Sequence, residues 1–248
     1  MSQYSIYIHG IINSTDEIDV TVDERQIYSI PWRDQAAVVA DFKKTDGVNM
    51  HTKEYALTHE KVVELMMERF TVLPMRLLTL VASRENVLSV MKDNYEDFKR
   101  NFARLDQKAE FGLKVIWPVD QIREGLQSGH KNNEEDKSVS GTSPAKMFMK
   151  KKLDSYRNEK AFRKEAKKFI AVIDGFFSGI AIEKRLQELP TRKMLLNASY
   201  LVEKNRQGEL KPALEKLRDA QPGLAFQFSG PWPPYNFIVM REKLETAG

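Results

Sequence analysis

Lys53-Glu-Tyr-Ala-Leu-Thr-His-Glu-Lys-Val-Val-Glu-Leu-Met-Met-Glu-Arg-Phe70 is where this chain changes period. His59, Val62, Val63, Met66 and Phe70 recur at helical spacing, so the segment reads as an amphipathic helix with one buried stripe. Upstream the period is two. Tyr4, Ile6 and Ile8 alternate with Ser5, Tyr7 and His9, which predicts a first strand stopping at Gly10. A polar, acidic excursion follows. Further strands are expected at residues 26–30, ended by Pro31, and at 36–42, ended by the turn signal around Asp46 and Gly47.

Downstream, residues 72–81 form a β-rich apolar run in which Pro74 argues for an edge or bulged position. Ser83 is placed to cap the next helix, whose core stripe is Leu88, Met91, Tyr95, Phe98, Phe102 and Leu105. Residues 110–118 return to strand. This order is close to a ferredoxin-like α+β sandwich with an extra strand near its start. Residues 127–143 have scarcely an apolar side chain, and 121–143 reads as a linker or mobile loop. The expected organisation is therefore a domain over 1–120, a linker over 121–143 and a second α+β domain over 144–248. In the second domain a long helix starts at Pro144 and runs toward Leu189, breaking or bending at Gly175 or Gly179, with core residues Phe162, Ala166, Phe169, Ile173, Phe176 and Ile180. Strand 191–203, helix 210–220 and strand 224–229 follow.

Composition bounds the function classes. Of the 248 residues 42% are hydrophobic and 30% charged, the profile of a globular protein with a substantial core. No cysteine is present, which removes disulfides, thiolate metal ligands and a cysteine nucleophile. The N-terminal alternation reads as a strand and not a signal peptide, and no apolar run approaches the roughly 20 residues of a membrane span, so an intracellular protein without a membrane partner is expected. His9, His51, His59 and His130 lack paired metal-ligand spacing, and His59 reads as a structural histidine on the apolar side of its helix. Gly125-Leu-Gln-Ser-Gly129 lacks the ending of a phosphate loop, and no nucleophile elbow occurs. These residues carry no catalytic, cofactor or metal assignment, and an enzyme is not expected.

Two features point to partners. Gly230-Pro-Trp-Pro-Pro-Tyr-Asn-Phe237 packs three prolines and three aromatics into eight residues. Its prolines predict a short polyproline II segment over 231–234, with nothing helical there and with Trp232 and Tyr235 on one side. The pair either plugs a domain core or anchors a partner. The other feature is the helix 146–168, rich in Lys and Arg, which reads as a solvated face or, alternatively, as a nucleic-acid-binding surface. The segment 111–117 does not match the aromatic and glycine pattern of an RNA-binding sheet, so nucleic acid is the lesser reading. Arg76, alone in an apolar run, is expected to form a structural ion pair or to face water from an edge strand.

Thr71-Val-Leu-Pro-Met-Arg76 after a helix bearing His59, then Phe111-Gly-Leu-Lys-Val115, Leu195-Leu-Asn-Ala-Ser-Tyr-Leu-Val202 and Gly230-Pro-Trp-Pro-Pro-Tyr-Asn-Phe237, together resemble the gas vesicle protein F/L family (GvpF/GvpL) over nearly the whole chain. Members commonly follow the first motif with Phe-Gly-Thr, whereas this chain has Leu77-Leu-Thr79. The resemblance implies two α+β domains, the first a modified ferredoxin-like sandwich. It also implies a non-catalytic accessory or minor structural role in gas vesicle assembly, alongside the small hydrophobic shell protein (GvpA type) and other accessory proteins, with the gas-facing surface as one location. On this reading Pro74, Met75, Arg76, Trp232, Pro233, Pro234 and Tyr235 are the candidate partner-binding residues.

Overall fold

The computed structural model describes residues 4–43, 53–120, 122, 124 and 144–240. The expected linker 121–143 lies outside the described residues, apart from positions 122 and 124. Two compact units divide the chain: Met1–Phe111 with Gly230–Gly248, and Gly112–Ser229. The fold is α+β with two antiparallel sheets.

The first unit is built on strands β1 (Tyr4–Ile12), β2 (Asp19–Val22), β3 (Arg25–Trp32), β4 (Gln35–Lys43), β5 (Val72–Pro74) and β6 (Leu80–Val81), with helices α1 (Lys53–Met67), α2 (Arg84–Asp93) and α3 (Tyr95–Leu105). Strand order is β2-β3-β4-β1-β5, with β6 also pairing β1. β1 continues past Gly10 to Ile12 because the chain extends into a bulge at His9: Ile8 pairs Val39 and Gly10 pairs Val38. Gly10 suits that step, since a Cβ there would meet the Leu73 carbonyl oxygen and Val72 Cγ1 at 3.1 Å. Pro31 does not end β3. It lies inside the strand opposite Ala36. The acidic excursion contains β2, paired with β3 from Asp19↔Tyr28 to Val22↔Arg25. One face of this sheet packs Val62, Val63 and Met66 of α1 against Ile12, Ile27, Val38 and Val72, and each such side chain contributes roughly 1.5–3 kcal/mol of burial.

The expected run 72–81 is two short strands separated by a turn. The helix expected after Ser83 is likewise two helices. Asn94 breaks it, its Nδ2 donating to the Val90 carbonyl at 2.9 Å and closing α2 before α3 begins. Ser83 caps α2, accepting from the Asn86 N–H.

The second sheet contains β7 (Lys108–Ile116), β8 (Glu183–Leu186), β9 (Met194–Glu203) and β10 (Ala225–Trp232) in the order β10-β7-β9-β8. β7, the strand that closes the ferredoxin-like order in the sequence, thus belongs to this sheet. The chain passes between the two units inside β7 and inside β10. Helix α4 (Pro144–Phe177) ends near Gly175 and does not resume: residues 183–186, expected as helix, form β8 against β9. Helix α5 (Leu210–Ala220) matches its expected span and buries Leu210, Ala213, Leu214 and Leu217. Within the second unit Trp117 packs against Phe162 and Phe169 of α4, with ring centroids 4.4 and 6.2 Å apart, and its indole N–H donates to the Arg192 carbonyl.

Candidate functional site

The segment after β10 departs from a polyproline helix. Pro231 and Trp232 are held in β10, Pro234 has ψ 56 rather than an extended value, and Tyr235–Phe237 make one 3-10 turn. The turn forms because Phe237 is fully buried and its neighbours are tied to the first unit. The Asn236 N–H donates to Glu110 Oε2 at 2.9 Å, its side-chain amide donates to the same carboxylate, and Arg104 donates to the Phe237 carbonyl. Asn101 then bridges both main-chain groups of Val239, at 2.8 and 2.9 Å. Gly230 has φ +113, and a Cβ there would meet the Glu110 carbonyl oxygen at 2.7 Å, so this entry into the turn requires glycine.

The result is a groove of about 240 Å³ in the first unit, lined by Ala56, His59, Glu60 and Glu64 of α1, by Leu77, and by Trp232, Pro233 and Tyr235. Trp232 and Tyr235 both line the groove, although the polyproline II geometry expected to put them on one side is replaced by a strand end and a 3-10 turn. Tyr235 is 39% exposed, and its hydroxyl is pushed up by burial, with Tyr7, Glu60, Glu64 and Glu110 adding to the shift. Pro74, Met75 and Pro234 are buried and do not line the groove. Pro74 pairs with Gly10 in the sheet, and the Met75 N–H donates to the His9 carbonyl at 3.0 Å. Arg76 is exposed and forms no ion pair among the described residues, which removes the expected structural ion pair and leaves it facing water. Its carbonyl accepts from Thr79 through both N–H and hydroxyl.

Beneath the groove four rings form a chain. His59 stacks on His9 at 5.4 Å, His9 touches Tyr7 at 4.4 Å, and Tyr235 lies 6.3 Å from His59. Tyr7 oxygen accepts from the Leu78 N–H at 3.2 Å and lies 2.7 Å from His59 Nδ1. Since the tyrosyl proton has no other acceptor among the described residues, the hydroxyl donates to a neutral imidazole. Burial pushes His59 down to about 4, partly opposed by the Met75 main chain. Burial also pushes His9 down to about 3, reinforced by His59 and Arg25, and raises Tyr7 to about 12. Both ring nitrogens of His9 are buried without a hydrogen-bond partner among the described residues. No cluster of three or more metal-ligating side chains occurs among the described residues. Burial keeps both imidazoles neutral within the ring cluster.

Leu78 stands where the resemblance implies a glycine. Its φ is +64, the left-handed conformation that glycine adopts freely and leucine adopts at a cost. The turn that presents Leu77 is thus made without a glycine. Sequence reasoning missed Leu77, Glu60, Glu64 and His9. The usable signal for the first three was the spacing of Glu60 and Glu64 beside His59 and the apolar residue after Arg76. His9 gave none, because its burial follows from the bulge.

The family model described as gas vesicle synthesis protein GvpL/GvpF matches residues 5–239. Gas vesicle protein F1 of Halobacterium salinarum is 23% identical, over 94% of this chain and 92% of its own length. Gas vesicle protein L1 of the same organism is 21% identical, over 93% and 89%. The crystal structure of the gas vesicle protein GvpF from Anabaena sp. PCC7120 superposes with a TM-score of 0.80 at 18% identity, covering 96% of this chain and 99% of that one. GvpF from Microcystis aeruginosa gives 0.75 at 18% identity, covering 95% and 99%. These two likenesses establish the fold.

Proposed function

This chain belongs to the GvpL/GvpF family of gas vesicle synthesis proteins, and from that membership we propose that it is a non-catalytic assembly factor whose first-unit groove holds the small hydrophobic shell protein while the vesicle wall grows. A gas-vesicle role follows from the family itself. The finer reading rests on one observation: Leu77, Trp232, Pro233 and Tyr235 converge on α1 to leave an open apolar groove with two carboxylates, Glu60 and Glu64, in its lining. A shell subunit with a large apolar face aggregates unless that face is covered, and rigid aromatic anchors cover it at low entropic cost.

In this reading Pro74 and Met75 support the groove from below, fixing the turn that projects Arg76 and Leu77, and Trp232 with Tyr235 supplies the contact. Pro233 and Pro234 set the spacing between the two rings. Other gas vesicle proteins are the accessory partners, and the growing wall, including its gas-facing surface, is the place of action.

The test is capture of shell protein by the full chain and by Trp232→Ala with Tyr235→Ala, after circular dichroism confirms folding. The double variant is expected to lose about ten-fold or more of the capture, the effect of removing two central aromatic anchors. Equal capture by a folded double variant removes the groove from the mechanism.

A further inference from the structure

Helix α4 carries a second surface, confined to the second unit and independent of the groove. At 3.6 residues per turn, Met149, Leu153, Tyr156, Lys160, Arg163, Lys164 and Lys167 fall on one side of the helix over a length of about 27 Å. Phe162 and Phe169, which pack on Trp117, fall on the other. Met149, Leu153 and Tyr156 are 71%, 49% and 68% exposed, although their spacing of four and three is that of a helix-packing seam. The same seam continues directly into cations. Arg163 pairs with Glu159 at 3.4 Å, while Lys160, Lys164 and Lys167 form no ion pair among the described residues.

We propose that this face docks an acidic amphipathic helix of another protein, with apolar residues laid against Met149, Leu153 and Tyr156 and carboxylates laid against Lys160, Lys164 and Lys167. A second copy of α4 does not fit. In parallel it sets cations against cations, and in antiparallel it sets cations against the apolar seam. Nucleic acid would use the cations alone and leave three large apolar side chains unexplained. A helix with an apolar block followed by an acidic block satisfies both halves of the face.

The probe is a labelled helical peptide with leucines at spacings of four and three and glutamates continuing the stripe, made in both sequence directions. Binding to the full-length chain is read by fluorescence anisotropy beside a scrambled peptide, a short DNA duplex and anionic phosphatidylglycerol vesicles. One of the two directions is expected to bind about ten-fold or more tighter than the scramble. That binding is expected to fall by a similar factor in Lys160→Glu with Lys164→Glu, and again in Leu153→Ser with Tyr156→Ser. Both pairs lie on an exposed face, so circular dichroism should show unchanged folding. The proposal is overturned if neither direction outperforms the scramble. It is also overturned if the apolar pair of substitutions changes nothing while DNA or vesicle binding vanishes with the cations, which would assign the face to a polyanion. Trp232→Ala with Tyr235→Ala is expected to leave peptide binding intact, which keeps this result separate from the groove.

Discussion

In the first unit the rings of Tyr7, His9, His59 and Tyr235 come from β1, α1 and the turn after β10, whereas on α4 Met149, Leu153 and Tyr156 come from neighbouring turns of one helix. The groove is assembled from residues more than 170 positions apart in sequence, over imidazoles that burial holds neutral. The α4 face needs only helical periodicity and has nothing packed on it among the described residues. The first is sensitive to whatever disturbs the core below it. The second can be changed without touching the fold. A surface made by convergence therefore inherits the stability of its unit, and a surface made by one helix does not.

The largest effect that separates them is with pH. His9 and His59 have folded-state values near 3 and 4, below the ordinary unfolded value of about 6.5. Depressed histidines contribute stability that is fully present above the unfolded value. It is lost as pH falls from there toward the folded values, because the unfolded chain takes up protons first. Between pH 7 and pH 5 the loss is about 2 kcal/mol for each histidine. Urea unfolding across that range is expected to show it, with His9→Phe losing only half as much. A slope unchanged by His9→Phe breaks the link between the groove and its buried rings.

A smaller effect lies at Leu78. Holding a branched side chain at φ +64 is costly, and a β-branched one more so, so Leu78→Val should lower stability by about 2 kcal/mol. In Leu78→Gly, relief of strain is offset by lost apolar contact and greater chain entropy, leaving the change within about 1 kcal/mol. Urea midpoints with unchanged slopes check both. A stabilising Leu78→Val contradicts the conformation of the turn that presents Leu77.

What the sequence disclosed follows the same division. Helices α1 and α5 were legible because their apolar period and boundaries are local. The strand β8 was hidden by Glu183, Lys184 and Arg185, three charges in a row that mask a strand paired to β9, and the break at Asn94 was hidden inside a continuous apolar stripe. The membership of β7 in the second sheet, the bulge at His9 and the 3-10 turn after Pro234 are decided by pairing and burial across long separations. A local reading of prolines predicts polyproline II there; the burial of Phe237 and the tethers from Glu110, Arg104 and Asn101 override it.

The most direct measurement places a photo-crosslinking residue at Leu77 in the groove and, separately, at Leu153 on α4, in cells forming gas vesicles. An adduct between the chain and one shell subunit is expected from position 77, identified by mass spectrometry, with no shell adduct from position 153. A shell adduct from position 153 with none from 77 would contradict the role proposed for the groove.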